Sequence, residues 1–345
     1  MTGESGNYLS AAARLIAIAV GMYLLFGIAM EFLETSLVLF SVLLLYLVYC
    51  GYILPGIDRR REAPGAAETV PPGTGTGRSD RFSRLKSILM FLTITIVSFL
   101  ILHLLVIMMH EFSHSLCAYF LGWKSDPRDI IYGSMIGAHW DENVDYSALF
   151  AAGEGPTASA IAFAGPLSNI VLFFATVGLM SAKSVKNHRR AYHCIFWTCI
   201  ITFSMVFEYV FTRSFLQHDD FGNINHGLGI SPWPIFIAGT LLGILGLYYI
   251  IVYTLPGYHA IVTPHERPLQ YVTISTVSFT IFLFYIGLRI TAYPAVPEWW
   301  FGVIGIAALF IVPFAASPAR GWVQRSMEGC IVQESSPNRP ELSES

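Results

Sequence analysis

Two histidines four residues apart, with a glutamate directly after the first, form the run His110-Glu111-Phe112-Ser113-His114 inside an apolar stretch from about Leu85 to Leu121. On a helix, residues i and i+4 share a face, so both imidazoles can hold one Zn²⁺ while Glu111 reaches the water that the ion polarises. That is the chemistry of metal-assisted hydrolysis. An ionisable residue at mid-span costs roughly 2.5–3.5 kcal/mol on insertion scales, and three occur here in little more than one turn. An ordinary span avoids such a cluster, and its placement implies peptide-bond hydrolysis within the bilayer.

A hydrolytic zinc site takes three protein ligands and a water, so a carboxylate is still needed. Glu208, Asp219 and Asp220 are the candidates, all in or after the fifth apolar run. If spans alternate in direction, the end of the third span and the end of the fifth fall toward one face. One of the adjacent aspartates can instead cap the helix that follows, and Glu208 can snorkel toward the interface beside Arg213. His103 lies two turns from His110, roughly 10 Å by helical rise, and is expected to bond a neighbouring helix. His218 reads as a solvated turn residue and Cys117 as a packing residue. In the fourth apolar run, Ala164-Gly165-Pro166-Leu167-Ser168-Asn169 predicts a kink, because proline removes a backbone hydrogen bond and glycine permits close approach. Asn169 can there hydrogen-bond a substrate carbonyl or the tetrahedral oxyanion, or simply join two helices.

The elements that must position these residues are long and apolar. Hydrophobic residues make up 54% of the chain and charged residues 12%, and the mean hydropathy is +0.58, far from the roughly 25% charged of a soluble domain. Apolar runs at about Leu9–Met30, Thr35–Leu54, Leu85–Leu121, Pro156–Met180, Tyr192–Thr212, Trp233–Leu255, Tyr271–Arg289 and Trp299–Phe314 predict about eight spans. The first lacks a cleavage site of the small-x-small type and reads as a retained span. The five cysteines form no C-x-x-C pair and imply neither a disulfide framework nor a zinc knuckle. Sixteen of the twenty Lys and Arg fall on one side of an alternating topology, which by the positive-inside rule places both termini in the cytoplasm of a multi-pass cell-membrane protein. Neither basic cluster needs a nucleic-acid partner.

The expected fold class is all-α, a polytopic membrane helix bundle with a small β-like loop between spans three and four. Residues 1–57 read as two accessory transmembrane helices, 58–84 as a flexible cytoplasmic linker, 85–255 as the metalloprotease core, 256–318 as C-terminal transmembrane helices and 319–345 as a disordered tail. Between the third and fourth spans, Gly122–Gly155 carries six acidic residues and a Gly- and Ile-containing run from Ile130 to Trp140. That composition favours short strands, whose edge can pair with an extended substrate; a loop that merely caps the bundle is the other reading.

Three elements together resemble the site-2 proteases, intramembrane zinc metalloproteases that cut transmembrane substrates. His110-Glu111-Phe112-Ser113-His114 is similar to the family's H-E-x-x-H span, Gly165-Pro166-Leu167-Ser168-Asn169 to its G-P-x-x-N helix, and Asp220-Phe221-Gly222-Asn223-Ile224 to its Asp-Gly motif, with Phe221 in place of the glycine. The resemblance covers roughly residues 85–255. It implies His110, His114 and Asp220 as zinc ligands, Glu111 as the catalytic acid/base, and a transmembrane or membrane-associated protein as substrate in the lipid bilayer; Asp219 remains the alternate ligand, and Asn169, from its place in the fourth run, is the further catalytic candidate. Two other classes compete. A catalytically silent protein that binds transmembrane helices has no use for Glu111, and a metal or ion transporter needs polar residues through the full depth of the bundle, whereas here they gather toward one side.

Overall fold

Long runs of Leu, Ile, Val and Phe can satisfy their backbone hydrogen bonds in lipid only as helices or closed barrels, and helices are what form. The computed structural model describes residues 36–62, 78–134, 139–287 and 300–335. Helix α1 (Ser36–Val48) passes through a π turn at Tyr49–Ile53 into α2 (Leu54–Glu62). Then come α3 (Arg78–Phe120), α4 (Tyr146–Ala151), α5 (Gly155–Ser181), α6 (Lys183–Lys186), α7 (Arg189–Arg213) and α8 (Asp220–Leu228). Helix α9 (Pro232–Tyr249) runs through a second π turn, Ile250–Thr254, into α10 (Leu255–Val262). Last are α11 (Arg267–Ser278), which continues as π helix over Phe279–Gly287, α12 (Trp300–Ala315) and α13 (Gly321–Ser335).

Among the described residues, six stretches are long and apolar enough to cross a membrane: Ser41–Arg61, Phe82–Phe120, Gly155–Ser181, Arg189–Arg213, Pro232–Val262 and Arg267–Gly287. A seventh, Gly302–Ala315, is apolar but shorter. The expected first span, Leu9–Met30, lies outside the described residues. The all-α class is therefore observed, with six full-length candidates of the eight expected. The two π turns each precede the same tripeptide, Leu54-Pro55-Gly56 and Leu255-Pro256-Gly257. Proline lacks an N–H for the carbonyl four residues earlier, and a widened turn lets the helix continue past it.

Helix α7 is the pillar of the bundle. Most of its apolar window is buried (72%), against 6% for the stretch that contains α9. In lipid no hydrophobic force drives two apolar helices together, so close packing must do it. Gly239, Gly243 and Gly246 of α9 supply that: a Cβ on them would lie 2.6, 2.3 and 2.7 Å from Val210, Phe207 and Phe203 of α7. The opposite face of α9, with Leu241, Leu242 and Leu245, is exposed. Gly155 of α5 and Gly227 of α8 meet in the same way, each Cβ position lying within 2.5 Å of the other's carbonyl oxygen.

Two expectations are corrected, and for the third, the β-like loop, residues 135–138 lie outside the described set. The segment 58–84, read as a linker, is helical at both ends, through Glu62 and again from Arg78; residues 63–77 lie outside the described set. The tail from 319 is also helical over Gly321–Ser335, because Val323 is fully buried and Trp322 Nε1 donates to the Ala315 carbonyl at 3.2 Å. The β-like loop shows a single antiparallel bridge, Ile131 with Asp141, and no strand among the described residues. What organises that loop is Lys124, whose ammonium donates to the carbonyls of Asp129, Glu142 and Asn143. Ser115 Oγ of α3 donates to the Pro127 carbonyl at 2.9 Å and ties the loop to the helix that carries the histidines.

Candidate metal centre

Helix α3 presents His110 and His114 on one face, with their Nε2 atoms 3.1 Å apart. Both are buried, at 1% and 0% exposure. Helix α8 brings Asp220 to them from 106 or more residues away, with Oδ2 3.1 Å from His110 Nε2 and Oδ1 3.3 Å from His114 Nε2. The approach depends on Gly165 of α5, where a Cβ would fall 2.1 Å from His114 Nε2 and 2.7 Å from His110 Nε2. Ligand atoms around a tetrahedral ion with bonds of about 2.0–2.2 Å stand about 3.3–3.5 Å apart. The three observed separations are within a few tenths of an ångström of that. His110, His114 and Asp220 are thus a buried group able to hold a metal ion.

The far side of each imidazole is held as a ligand's should be. His114 Nδ1–H donates to the Ile161 carbonyl of α5 at 2.7 Å, leaving Nε2 with a free lone pair. Asn169, fully buried on α5, sets its side-chain amide 3.0 Å from His110 Nδ1, and its Oδ1 has no other partner. Turned so that Oδ1 receives the Nδ1–H, the amide leaves His110 Nε2 free in the same way. Asn169 therefore lies behind His110 rather than in the cavity in front of it. The expectation that it touches substrate as a catalytic residue gives way to an orienting role, because burial on the Nδ1 side puts a ring between it and any substrate. Helix α5 also runs without interruption through Pro166, so the proline does not break it.

The other acids go elsewhere. Asp219 caps α8, accepting from the Asp220 backbone N–H at 3.0 Å, and pairs with Arg213 Nη1 at 2.6 Å. Its backbone, at φ 80° and ψ 170°, sits where non-glycine residues cost about 1–3 kcal/mol, and these two contacts hold it there. Glu208 accepts from Thr212 Oγ1 at 2.6 Å and lies 3.4 Å from Arg213 Nε. His103 accepts from Tyr285 OH at 2.7 Å and stacks on Phe99, joining helices as expected. His218 is exposed, and Cys117 Sγ packs against the Ala160 carbonyl at 3.7 Å.

Glu111 shares with His110 and Asp220 a polar cavity of about 630 Å³. The loop residues Trp140, Asp141 and Glu142, the start of α4, the end of α7 and the turn that leads into α8 also line it. Burial alone would raise the Asp220 carboxyl; with no metal ion between them, Nε2–H groups of His114 and His110 turned toward it outweigh burial and hold the group well below the usual carboxylate range. Burial, with Glu142 and Asp220 nearby, pushes the Tyr146 phenol far up, so it stays protonated in the cavity wall. Sequence reasoning passed over Tyr146, Glu142 and Tyr209. The last had a signal: Tyr209 and Arg213 stand at i and i+4 on the helix that ends beside the aspartate pair, so they share its face.

No model of a known protein family, no curated protein and no solved structure matches this chain.

Proposed function

We propose that this chain is an intramembrane zinc metalloprotease, similar in its chemistry to the site-2 proteases, that hydrolyses peptide bonds of transmembrane or membrane-associated proteins. One observation carries the reading: two imidazoles and a carboxylate converge from α3 and α8, with Glu111 facing the same cavity. A zinc ion held by His110, His114 and Asp220 would supply Lewis-acid polarisation of the scissile carbonyl and of the attacking water. The residues of the chain do the rest. Glu111 takes the proton from water as its oxygen bonds to the carbonyl carbon, then delivers it to the departing amine as the C–N bond breaks. The polar loop admits water from outside the apolar belt, and a substrate helix must unwind locally before its carbonyl can reach the cavity. The chain is placed as a multi-pass protein of the cell membrane with both termini in the cytoplasm, which rests on the bias of its Lys and Arg residues.

The test uses the purified full-length protein in detergent with a membrane-protein substrate, together with elemental analysis. Glu111→Gln should lower cleavage by about 10²–10⁴-fold while zinc stays at wild-type stoichiometry. Asp220→Ala should lose zinc, and Asp219→Ala should keep it. Cleavage unchanged by Glu111→Gln would remove the proposal.

A further inference from the structure

Tyr209 has no place in the ligand set, yet its hydroxyl lies 3.4 Å from a ligand nitrogen and its side chain lines the same cavity. Its side chain is buried, at 6% exposure, and lines the cavity with Glu111. The ring stacks on His110 with centroids 5.4 Å apart and planes within 7°. Its hydroxyl lies 3.4 Å from His110 Nε2, the nitrogen that faces Asp220 and His114. An imidazole nitrogen has one lone pair. When His110 Nε2 gives that pair to a metal ion, it can no longer accept from Tyr209, and the hydroxyl is released to donate into the cavity. An acceptor entering the cavity beside the ligand nitrogens can then take that hydrogen bond in place of water. Peptide hydrolysis generates one there, the oxygen of the carbonyl under attack, whose negative charge develops only in the transition state.

Arg213 reinforces the donor. Its guanidinium carbon sits 4.1 Å from the centroid of the Tyr209 ring, drawing electron density from the phenol. Asp219 and Glu208 fix the guanidinium in place, which gives the strained backbone at Asp219 a purpose beyond capping. From this geometry we infer that Tyr209 is a catalytic residue, its hydroxyl donating a hydrogen bond to the oxyanion formed from the scissile carbonyl. The bond balance is unchanged by it. Water adds to the carbonyl carbon, the C–N bond breaks, and the proton travels through Glu111 to the amine, while Tyr209 keeps its own proton throughout. This rests on the hydrolytic reading above and adds to it the group that recognises the tetrahedral carbon.

Tyr209→Phe keeps the ring, its stacking on His110 and the cation above it, and removes only the hydroxyl. The experiment compares wild-type and Y209F full-length protein, both zinc-loaded, in three measurements: metal content, affinity for a phosphinic peptide whose tetrahedral phosphorus mimics the attacked carbon, and kcat against KM on a membrane substrate. Expected are equal metal content, at least tenfold weaker phosphinic-peptide binding, and kcat lowered by roughly 10²-fold or more with KM nearly constant, as for loss of an oxyanion donor. Unchanged phosphinic-peptide affinity would overturn the assignment. So would loss of zinc from Y209F, which would make Tyr209 a support for His110. If wild-type protein binds the phosphinic peptide but cleaves nothing, the hydrolytic reading fails on its own, and the affinity comparison still decides whether the hydroxyl meets a tetrahedral oxyanion.

Discussion

Two of the buried carboxylates, Asp220 and Asp58, lie where helices converge and have different surroundings. Asp220 faces the Nε2 atoms of His110 and His114 at 3.1 and 3.3 Å and borders a cavity. Asp58, at 2% exposure, accepts from Tyr271 OH at 2.7 Å and from Ser317 Oγ, so it clips α2 to α11 and to the turn between α12 and α13. Arg61 and Arg320 lie over Phe314 beside it, at 4.8 and 4.5 Å from the ring. At Asp58 two hydroxyl donors meet one carboxylate oxygen, Oδ2, and lock helices together, while Oδ1 is buried without a partner. Imidazoles held by hydrogen bonds at Nδ1 can turn Nε2 lone pairs to the point that the carboxylate also faces, and such a set can hold a cation. A buried acid in a bundle is therefore no mark of a metal site by itself; the atoms facing it decide between latch and ligand.

This contrast can be broken at either end. The largest effect is expected at Gly165, where even an alanine Cβ would overlap both ligand nitrogens. Gly165→Ala should abolish stoichiometric zinc and lower stability by about 1–3 kcal/mol through overpacking; metal retained at wild-type level would show that the helices can part without losing the site. Removing the support behind a ligand should matter less. Asn169→Ala should weaken zinc binding by about 10–100-fold, read by competition with a chelator, while the fold stays intact. The smallest effect on the metal belongs to the latch. Asp58→Ala, which leaves the Tyr271 and Ser317 hydroxyls without their acceptor, should cost about 1–3 kcal/mol in thermal melting and leave zinc content unaltered. Zinc loss in that variant would mean that the two carboxylates are energetically one network and the contrast is false.

The legibility of the site followed the same division. His110, Glu111 and His114 could be read because a helix fixes the relation between positions i and i+4 whatever surrounds it. Asp220 could not be separated from Asp219, because neighbouring residues at the start of a short helix point in different directions and only a third party settles which goes where. That party is Arg213, which holds Asp219 at 2.6 Å and leaves Asp220 for the histidines. Asn169 was visible as a polar residue in an apolar helix, yet its side of His110 depends on how α5 crosses α3. The helix at Gly321–Ser335 was hidden by the polar tail after it, since composition averaged over 319–345 dilutes the apolar face that holds Val323 and Trp322.

By itself, then, the amino-acid order determined the helical class, the apolar stretches able to cross a membrane, and the facing of two imidazoles with an acid beside them. All three depend on periodicity and composition within one segment, which local backbone geometry enforces. The tertiary structure alone decided which carboxylate completes the trio, which glycine makes room for it, and that Tyr209 stands over His110. Each of those depends on contacts between segments distant in sequence, and such contacts exist only once the helices have packed.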